Sequence, residues 1–275
     1  MIAKKSRTEG SLEKPSIVTH YDGDLHHAAR LKMNIGSFYL PKDNVERPLG
    51  EDAHFVCKEK DTIGVADGVG GWAKKGIDPG KYARELMENC VMVLKDEPKG
   101  SVNPRRVLEE AYLNTLSKGS STACIMTLGD DNFLKYVNLG DSGLMVFRDR
   151  RLMYKSPVQQ RGFNHPYQLG RCSDTPSLAY EDKVAVKAGD IVVAGTDGWL
   201  DNMFPFEVLE IIDQTEMEAE ILAWMIAENA LCSAVDDDYT SPFGIAAEKA
   251  GYKHEGGKYD DITVVVAMIE PLCRV

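Results

Sequence analysis

Ile63-Gly64-Val65-Ala66-Asp67-Gly68-Val69-Gly70-Gly71-Trp72 decides how this chain is read. An apolar run of β type ends in a carboxylate, and three glycines follow within four residues. Lacking a Cβ, glycine lets the backbone turn tightly and brings its carbonyls close to a ligand. Asp67 and its glycine turn therefore offer the carboxylate, carbonyl and water oxygens that a hard cation prefers. Asp-Gly after a strand is also an ordinary turn, so the metal reading depends on partners elsewhere in the chain.

Upstream, Glu51-Asp52-Ala53-His54-Phe55-Val56-Cys57 reads as a strand entered through two adjacent carboxylates, which point to opposite faces. A turn at Glu59-Lys60-Asp61 joins it to the strand Thr62 to Asp67. Gly36-Ser37-Phe38-Tyr39-Leu40, stopped by Pro41, is the first strand expected. Residues 1–34 read as a polar lead-in, with His20, His26 and His27 solvent-exposed, and residues 35–275 as a single domain.

Downstream, Asp78-Pro79 and Asn103-Pro104 each pair a capping side chain with proline at the first helical position, which predicts two helices. The first carries Tyr82, Leu86, Met87, Cys90, Val91, Val93 and Leu94 as its apolar stripe; the second carries Val107, Leu108, Ala111, Tyr112 and Leu116. Four short strands follow between Ser121 and Tyr154, interrupted by Asn138-Leu139-Gly140-Asp141-Ser142-Gly143. Lys183 to Lys187 and Asp190 to Gly195 read as a hairpin turned on Gly189-Asp190, ending in Thr196-Asp197-Gly198-Trp199. Thr215 and Glu218 suggest a capping box for a long helix with Ile221, Leu222, Met225, Ile226 and Leu231 inward. Ser241-Pro242 opens a shorter helix that Gly251 ends, and Asp260-Asp261 precede a buried strand from Ile262.

Composition narrows the classes. At 275 residues, 43% hydrophobic and 27% charged, the chain has the make-up of a soluble globular protein. No apolar run approaches the roughly 18 residues a transmembrane helix needs. A formal net charge of -11 argues against a nucleic-acid surface. Six scattered cysteines without a Cys-x-x-Cys pair suit neither zinc nor a disulfide framework, which predicts an intracellular, reducing compartment. The first residues show no apolar signal-peptide core.

Glu51/Asp52, Asp67, Asp197 and Asp260/Asp261 share one pattern: acids at strand ends beside glycine or another acid. If those strand ends meet at a common edge, the acids converge, at a cost of about several kcal/mol unless a cation neutralises them. An all-oxygen shell suits Mg²⁺ or Mn²⁺ rather than zinc. Such a site can bind two ions, and a water between them becomes a hydroxide nucleophile near neutral pH. The chemistry expected is in-line attack on a phosphoryl group.

Six blocks, in order, carry a resemblance: Gly-Glu-Asp-Ala-His, Val-Ala-Asp-Gly-Val-Gly-Gly-Trp, Gly-Ser-Ser-Thr-Ala, Asn-Leu-Gly-Asp-Ser-Gly, Gly-Thr-Asp-Gly-Trp-Leu-Asp-Asn and Asp-Asp-Ile-Thr-Val-Val-Val. From about Gly36 to Ile269 the chain resembles the metal-dependent serine/threonine phosphatases of the protein phosphatase 2C (PPM) family, most of all the branch with mitochondrial and chloroplast members. The resemblance implies an α+β fold: a central β-sandwich of two antiparallel sheets flanked by helices in α-β-β-α layers, with a binuclear metal site at one end. It implies a phosphoprotein substrate and Mg²⁺ or Mn²⁺ as cofactor.

Position by position, the resemblance makes Asp67 the bridge between two ions and Gly68 a carbonyl ligand of the second. Asp197 and Asp260 become ligands of the first ion, Glu51 an acid on the second, and Asp52 the holder of a bound water. Asp141 corresponds to the holder of a weaker third ion. Arg47, four residues before Glu51, is either the arginine that grips substrate phosphate, for which a guanidinium fork is suited, or a surface arginine. Val69 departs from the many members that carry histidine after Asp-Gly as proton donor to the leaving alcohol. A bound water, His54 or His165 supplies that proton instead, or turnover is slow. The alternative function is a docking or regulatory protein built on the phosphatase fold. Oligomeric state is not readable from the residues.

Overall fold

The computed structural model describes residues 29–45, 47–214 and 218–272. The chain runs β1 (Leu31–Leu40), β2 (Asp52–Cys57), β3 (Thr62–Asp67), α1 (Pro79–Leu94), α2 (Pro104–Asn114), β4 (Ala123–Leu128), β5 (Phe133–Leu139), β6 (Gly143–Arg148) and β7 (Arg151–Lys155). It continues through β8 (Gln160–Gly162), β9 (His165–Pro166), β10 (Tyr180–Ala185), β11 (Ile191–Gly195), α3 (Asp197–Leu200), α4 (Pro205–Asp213), α5 (Ala219–Ala234), α6 (Pro242–Lys249) and β12 (Ile262–Pro271).

Two five-stranded antiparallel sheets lie face to face, in the orders β1-β12-β11-β6-β7 and β10-β5-β4-β3-β2. Ile63, Val65, Met126, Tyr136, Val146, Val192 and Val265 fill the space between them. Helices α1 and α2 cover the outer face of the second sheet, burying Tyr82, Leu86, Cys90, Val107 and Leu108. Helices α3 to α5 cover the outer face of the first around Trp199, Leu222, Ile226 and Val264. The layers are α-β-β-α, as the resemblance implies.

Close approach of α5 to its sheet needs small residues on both sides. The helix turns Ala219, Ala223, Ala227, Ala230 and Ala234 inward, and Gly36 of β1 lies beneath it: a Cβ there would stand 2.1 Å from the Glu220 amide nitrogen. Ile221, expected on the inward face, is 45% exposed. Likewise Leu116 lies beyond the end of α2 and is 65% exposed, and Val91 points outward from α1.

Two expectations about the strands need correction. Strand β1 starts at Leu31, so residues 31–34 belong to the sheet and not to a lead-in: Met33 and Ile35 are buried, while Lys32 and Asn34 between them reach Glu270 of β12. Lys32 and Asn34, alternating with Leu31, Met33 and Ile35, are the polar half of a period-2 strand pattern. Lys183 to Gly195 is not a hairpin. Gly189 does turn the chain (φ +90°), but β10 pairs with β5 and β11 pairs with β6 and β12, so the link crosses from one sheet to the other. Helix α4 was not anticipated: it is capped by Phe204, whose amide donates to the Glu207 carboxylate at 2.6 Å, without the usual Ser, Thr, Asp or Asn. His20, His26, His27 and Thr215 lie outside the described residues.

Candidate metal centre

Antiparallel pairing carries the acids to one end of the sandwich. Asp52 opens β2 directly opposite Asp67, which closes β3. Gly195, the last residue of β11, pairs with Val264 near the start of β12 and with Gly143 at the start of β6. The chain after β11 (Thr196, Asp197), before β12 (Asp260, Asp261) and before β6 (Asp141, Ser142) therefore surrounds one edge.

Asp67, Asp141 and Asp197 offer carboxylate oxygens that all lie within 4.8 Å of one another. The tightest group thus contains Asp141, expected on a third ion, where Asp260 was expected. Asp67 is set by Thr122, whose hydroxyl accepts from the Asp67 amide at 3.0 Å and whose amide donates to the Asp67 carbonyl at 2.9 Å. The same hydroxyl is 2.7 Å from Ser142 Oγ, next to Asp141. Asp141 Oδ2 accepts from Gln160 Nε2 at 3.0 Å.

Glu51 and Gly68 adjoin this group. The Gly68 amide donates to the Glu51 carbonyl at 3.1 Å, and a Cβ on Gly68 would lie 2.5 Å from that oxygen. Glu51 Oε1 takes Arg47 Nη1 at 2.7 Å. Asp52 is buried, and its Oδ2 accepts from Thr196 and Thr263 hydroxyls, each at 2.7 Å.

Two lysines absent from the expected set complete the site. Lys42 Nζ lies 2.6 Å from Asp260 Oδ1 and 3.5 Å from both Glu51 Oε2 and Asp261 Oδ2. Lys258 Nζ contacts Asp197 Oδ2, with Asp201 Oδ2 at 2.9 Å and Asp260 Oδ2 at 3.4 Å. Asp201, four residues after Asp197 on the α3 turn, faces the same way. Lys258, two residues before Asp260 in extended chain, shares its side. Those spacings were the available signals. Asp261 is structural: its Oδ1 accepts from the Tyr39 hydroxyl at 2.9 Å and the Lys42 amide at 3.0 Å.

Burial, then the negative charges of Asp197, Asp52, Asp260 and Asp141, hold Asp67 well above the usual carboxylate range. Burial likewise raises Asp52, Asp141 and Asp197, in the last against the pull of Lys258. For Asp260, burial is outweighed by Lys258 and Lys42, which bring it below its ordinary value. Asp52 Oδ1, Asp141 Oδ1 and Asp197 Oδ1 are buried without a hydrogen-bond partner among the described residues. Unpaired buried carboxylate oxygens are costly, and a hard divalent ion is the partner they fit. Opposite ligands of a Mg²⁺ ion sit about 4.2 Å apart, inside the 4.8 Å that bounds the Asp67, Asp141 and Asp197 oxygens.

Neither candidate histidine touches the acids among the described residues. His54 Nε2 is 3.2 Å from Ser37 Oγ and its ring stands edge-on to Tyr39. His165 is exposed and its Nδ1 lies 2.8 Å from the Phe163 carbonyl. The Val69 side chain has no titratable group; its amide donates to the Ser120 carbonyl at 3.0 Å.

An α-β-β-α sandwich with carboxylates gathered at one end of its sheets is the fold and site of one class of proteins, and the chain belongs to it: the protein phosphatase 2C (PPM) family. It is 37% identical over 241 residues to the zebrafish (Danio rerio) protein phosphatase PTC7 homolog, covering 80% of this chain and 81% of the relative. It is 49% identical over 244 residues to probable protein phosphatase 2C 55 of Arabidopsis thaliana, covering 87% of this chain but only 52% of that protein. The chain thus spans about half the length of this plant relative. Among solved structures, that of the photosystem II phosphatase PBCP matches with a TM-score of 0.82 and 34% identity over 87% of this chain and all of that one. No protein-family profile matches the chain.

Proposed function

We propose that this chain is a divalent-cation-dependent protein serine/threonine phosphatase, hydrolysing phosphoserine or phosphothreonine in a protein substrate. The observation that carries the reading is the convergence of Asp52, Asp141 and Asp197, each with a buried, unpartnered oxygen, beside Asp67. Family membership supports it.

The all-oxygen donor set fits Mg²⁺ or Mn²⁺. Asp67 would serve both ions, Asp197 and Asp260 the first, and Glu51 and the Gly68 carbonyl the second. Asp141, beside Asp67 and Asp197, is the acid that a third ion would need. When bound, such ions act as Lewis acids, neutralising phosphate oxygens and lowering the pKa of water. Asp52, fixed by two threonine hydroxyls through Oδ2, would hold a bound water with its other oxygen. Arg47 stands with Lys42 and Glu51 around a pocket of about 180 Å³, and its guanidinium presents a fork to the incoming phosphate. With Val69 lacking a titratable group, and His54 and His165 apart from the acids, the leaving alkoxide takes its proton from water, bound at the site or in solvent. Loss of general-acid help costs about 10²–10⁴ in rate, so turnover is slow for alcohol leaving groups.

An organellar compartment, mitochondrial or chloroplast, accompanies this reading. Its support is the branch resemblance and the likeness to a photosystem II phosphatase. A fluorescent fusion to the complete gene product that stays in the cytosol would overturn the compartment alone.

The test of the activity is phosphate release from a phosphothreonine peptide with Mn²⁺, with Mg²⁺ and with EDTA. Release should need metal and fall at least about 100-fold in Asp197→Ala. Metal-loaded protein that releases nothing would leave the docking protein as the better reading.

A further inference from the structure

The acids of the site divide by what their oxygens meet. Among the described residues Asp52 Oδ1, Asp141 Oδ1 and Asp197 Oδ1 have no partner, whereas Asp197 Oδ2, Asp201 Oδ2 and Asp260 Oδ2 all meet one ammonium, that of Lys258. An ammonium has three donors and one positive charge, and here it has three carboxylates. The lysine is held there from both ends. Asn202 clamps its backbone, accepting from the Lys258 amide at 2.8 Å and donating to its carbonyl at 2.7 Å. The Phe243 ring lies 5.2 Å from Nζ, and the side chain is only 15% exposed. Surface ion pairs are neither clamped nor enclosed in this way.

We propose that Lys258 is a tethered counter-ion: its ammonium fills the Asp201 side of the carboxylate cluster, where Asp197, Asp201 and Asp141 would otherwise hold a further divalent ion. The protein is thereby limited to two ions. The longest of the three contacts is to Asp260, so the charge sits mainly between Asp197 and Asp201 and leaves the Asp67 side open. A divalent ion approaching Asp201 meets a positive charge within a few ångströms in a poorly solvated place, where repulsion is strong. Lys258 is a positioning residue in this account. The account rests on the divalent-cation reading of the site.

Counting Mn²⁺ on the full chain, by calorimetry together with the paramagnetic resonance signal of free Mn²⁺, tests it without an activity assay. The unaltered protein should take two ions, and Lys258→Met should take a third, bound at least about tenfold more tightly than any third ion on the parent. Lys258→Arg, which keeps the charge, should take two, and adding Asp201→Asn to Lys258→Met should return the count to two. Asp201→Asn alone, which keeps the lysine, should change nothing in the count. A third ion on the unaltered protein that disappears in Asp201→Asn overturns the proposal even if Lys258→Met fails to fold. So does a folded Lys258→Met that still takes two. An unaltered protein that binds no Mn²⁺ overturns the divalent reading itself, and the counter-ion with it.

Discussion

Thr196 and Thr263 come from the end of one strand and the start of another, and both hydroxyls donate to the same oxygen of Asp52. A buried acid left with fewer donors pays the desolvation cost of its unpaired oxygen. Thr263→Val keeps the shape and removes one donor, so it should lower unfolding free energy by about 1–3 kcal/mol, read from urea denaturation in EDTA. His54 tests a different effect. Burial holds its imidazole below the ordinary 6.5, so near that pH the unfolded chain binds a proton that the folded chain does not. Stability from this residue is therefore complete above 6.5 and is lost as pH falls towards the folded value. His54→Gln should become progressively more stable relative to the parent as pH is lowered from 7 to about 5.5. Its phosphate release at pH 7 should be unaltered, because His54 does not touch the acids. A large loss of release would place the imidazole in the chemistry after all.

At the scale of elements, the contact between α5 and β1 is decided by what is missing from Gly36. A methyl group there meets backbone of α5 at 2.1 Å, and backbone cannot swing aside as a side chain can. Gly36→Ala should cost about 1–3 kcal/mol through overpacking, measurable as a lower urea midpoint with an unchanged slope. The elements themselves were legible where local chemistry specifies them: Asp78-Pro79 and Asn103-Pro104 do start α1 and α2, and Ser241-Pro242 starts α6. What failed is what local chemistry does not encode. Gly189 announces that the chain turns, not which sheet it enters next, and the Val186 to Asp190 crossing is held by distant partners: Arg148 grips Asp190 with Nε–Oδ1 at 2.7 Å and Nη2–Oδ2 at 2.6 Å. Asp190 is also a warning about acids beside glycines, since it shares the pattern of the site residues and is a buried structural anchor.

For the whole molecule, bound ions and folding are linked. An ion that binds the folded carboxylates and not the unfolded chain stabilises by mass action, about 2.7 kcal/mol at a hundred times its dissociation constant. The thermal midpoint should rise with Mn²⁺ concentration and fall back in EDTA, and this dependence should weaken in Asp197→Ala. The acids were legible because each sits at a strand end, where antiparallel pairing delivers it to the common edge. The cations Lys42 and Lys258 were not. A lysine beside acids in sequence reads as solvated surface, and only the assembled end of the sandwich shows these two enclosed among carboxylates.

The register of β1 against β12, with Leu31 opposite Pro271, has a further consequence for how the protein is made. The sheet β10-β5-β4-β3-β2 can assemble once residue 185 has left the ribosome. The other sheet cannot, because β12 lies between β1 and β11. At translation speeds of about 5–20 residues per second, β1 waits roughly 12–50 s for β12, the strand it pairs with. For that interval it is a ten-residue unpaired edge with alternating apolar side chains, the kind of segment that recruits other chains. Nascent chains stalled or truncated before Ile262 should therefore aggregate through β1, while those ending beyond Pro271 should not.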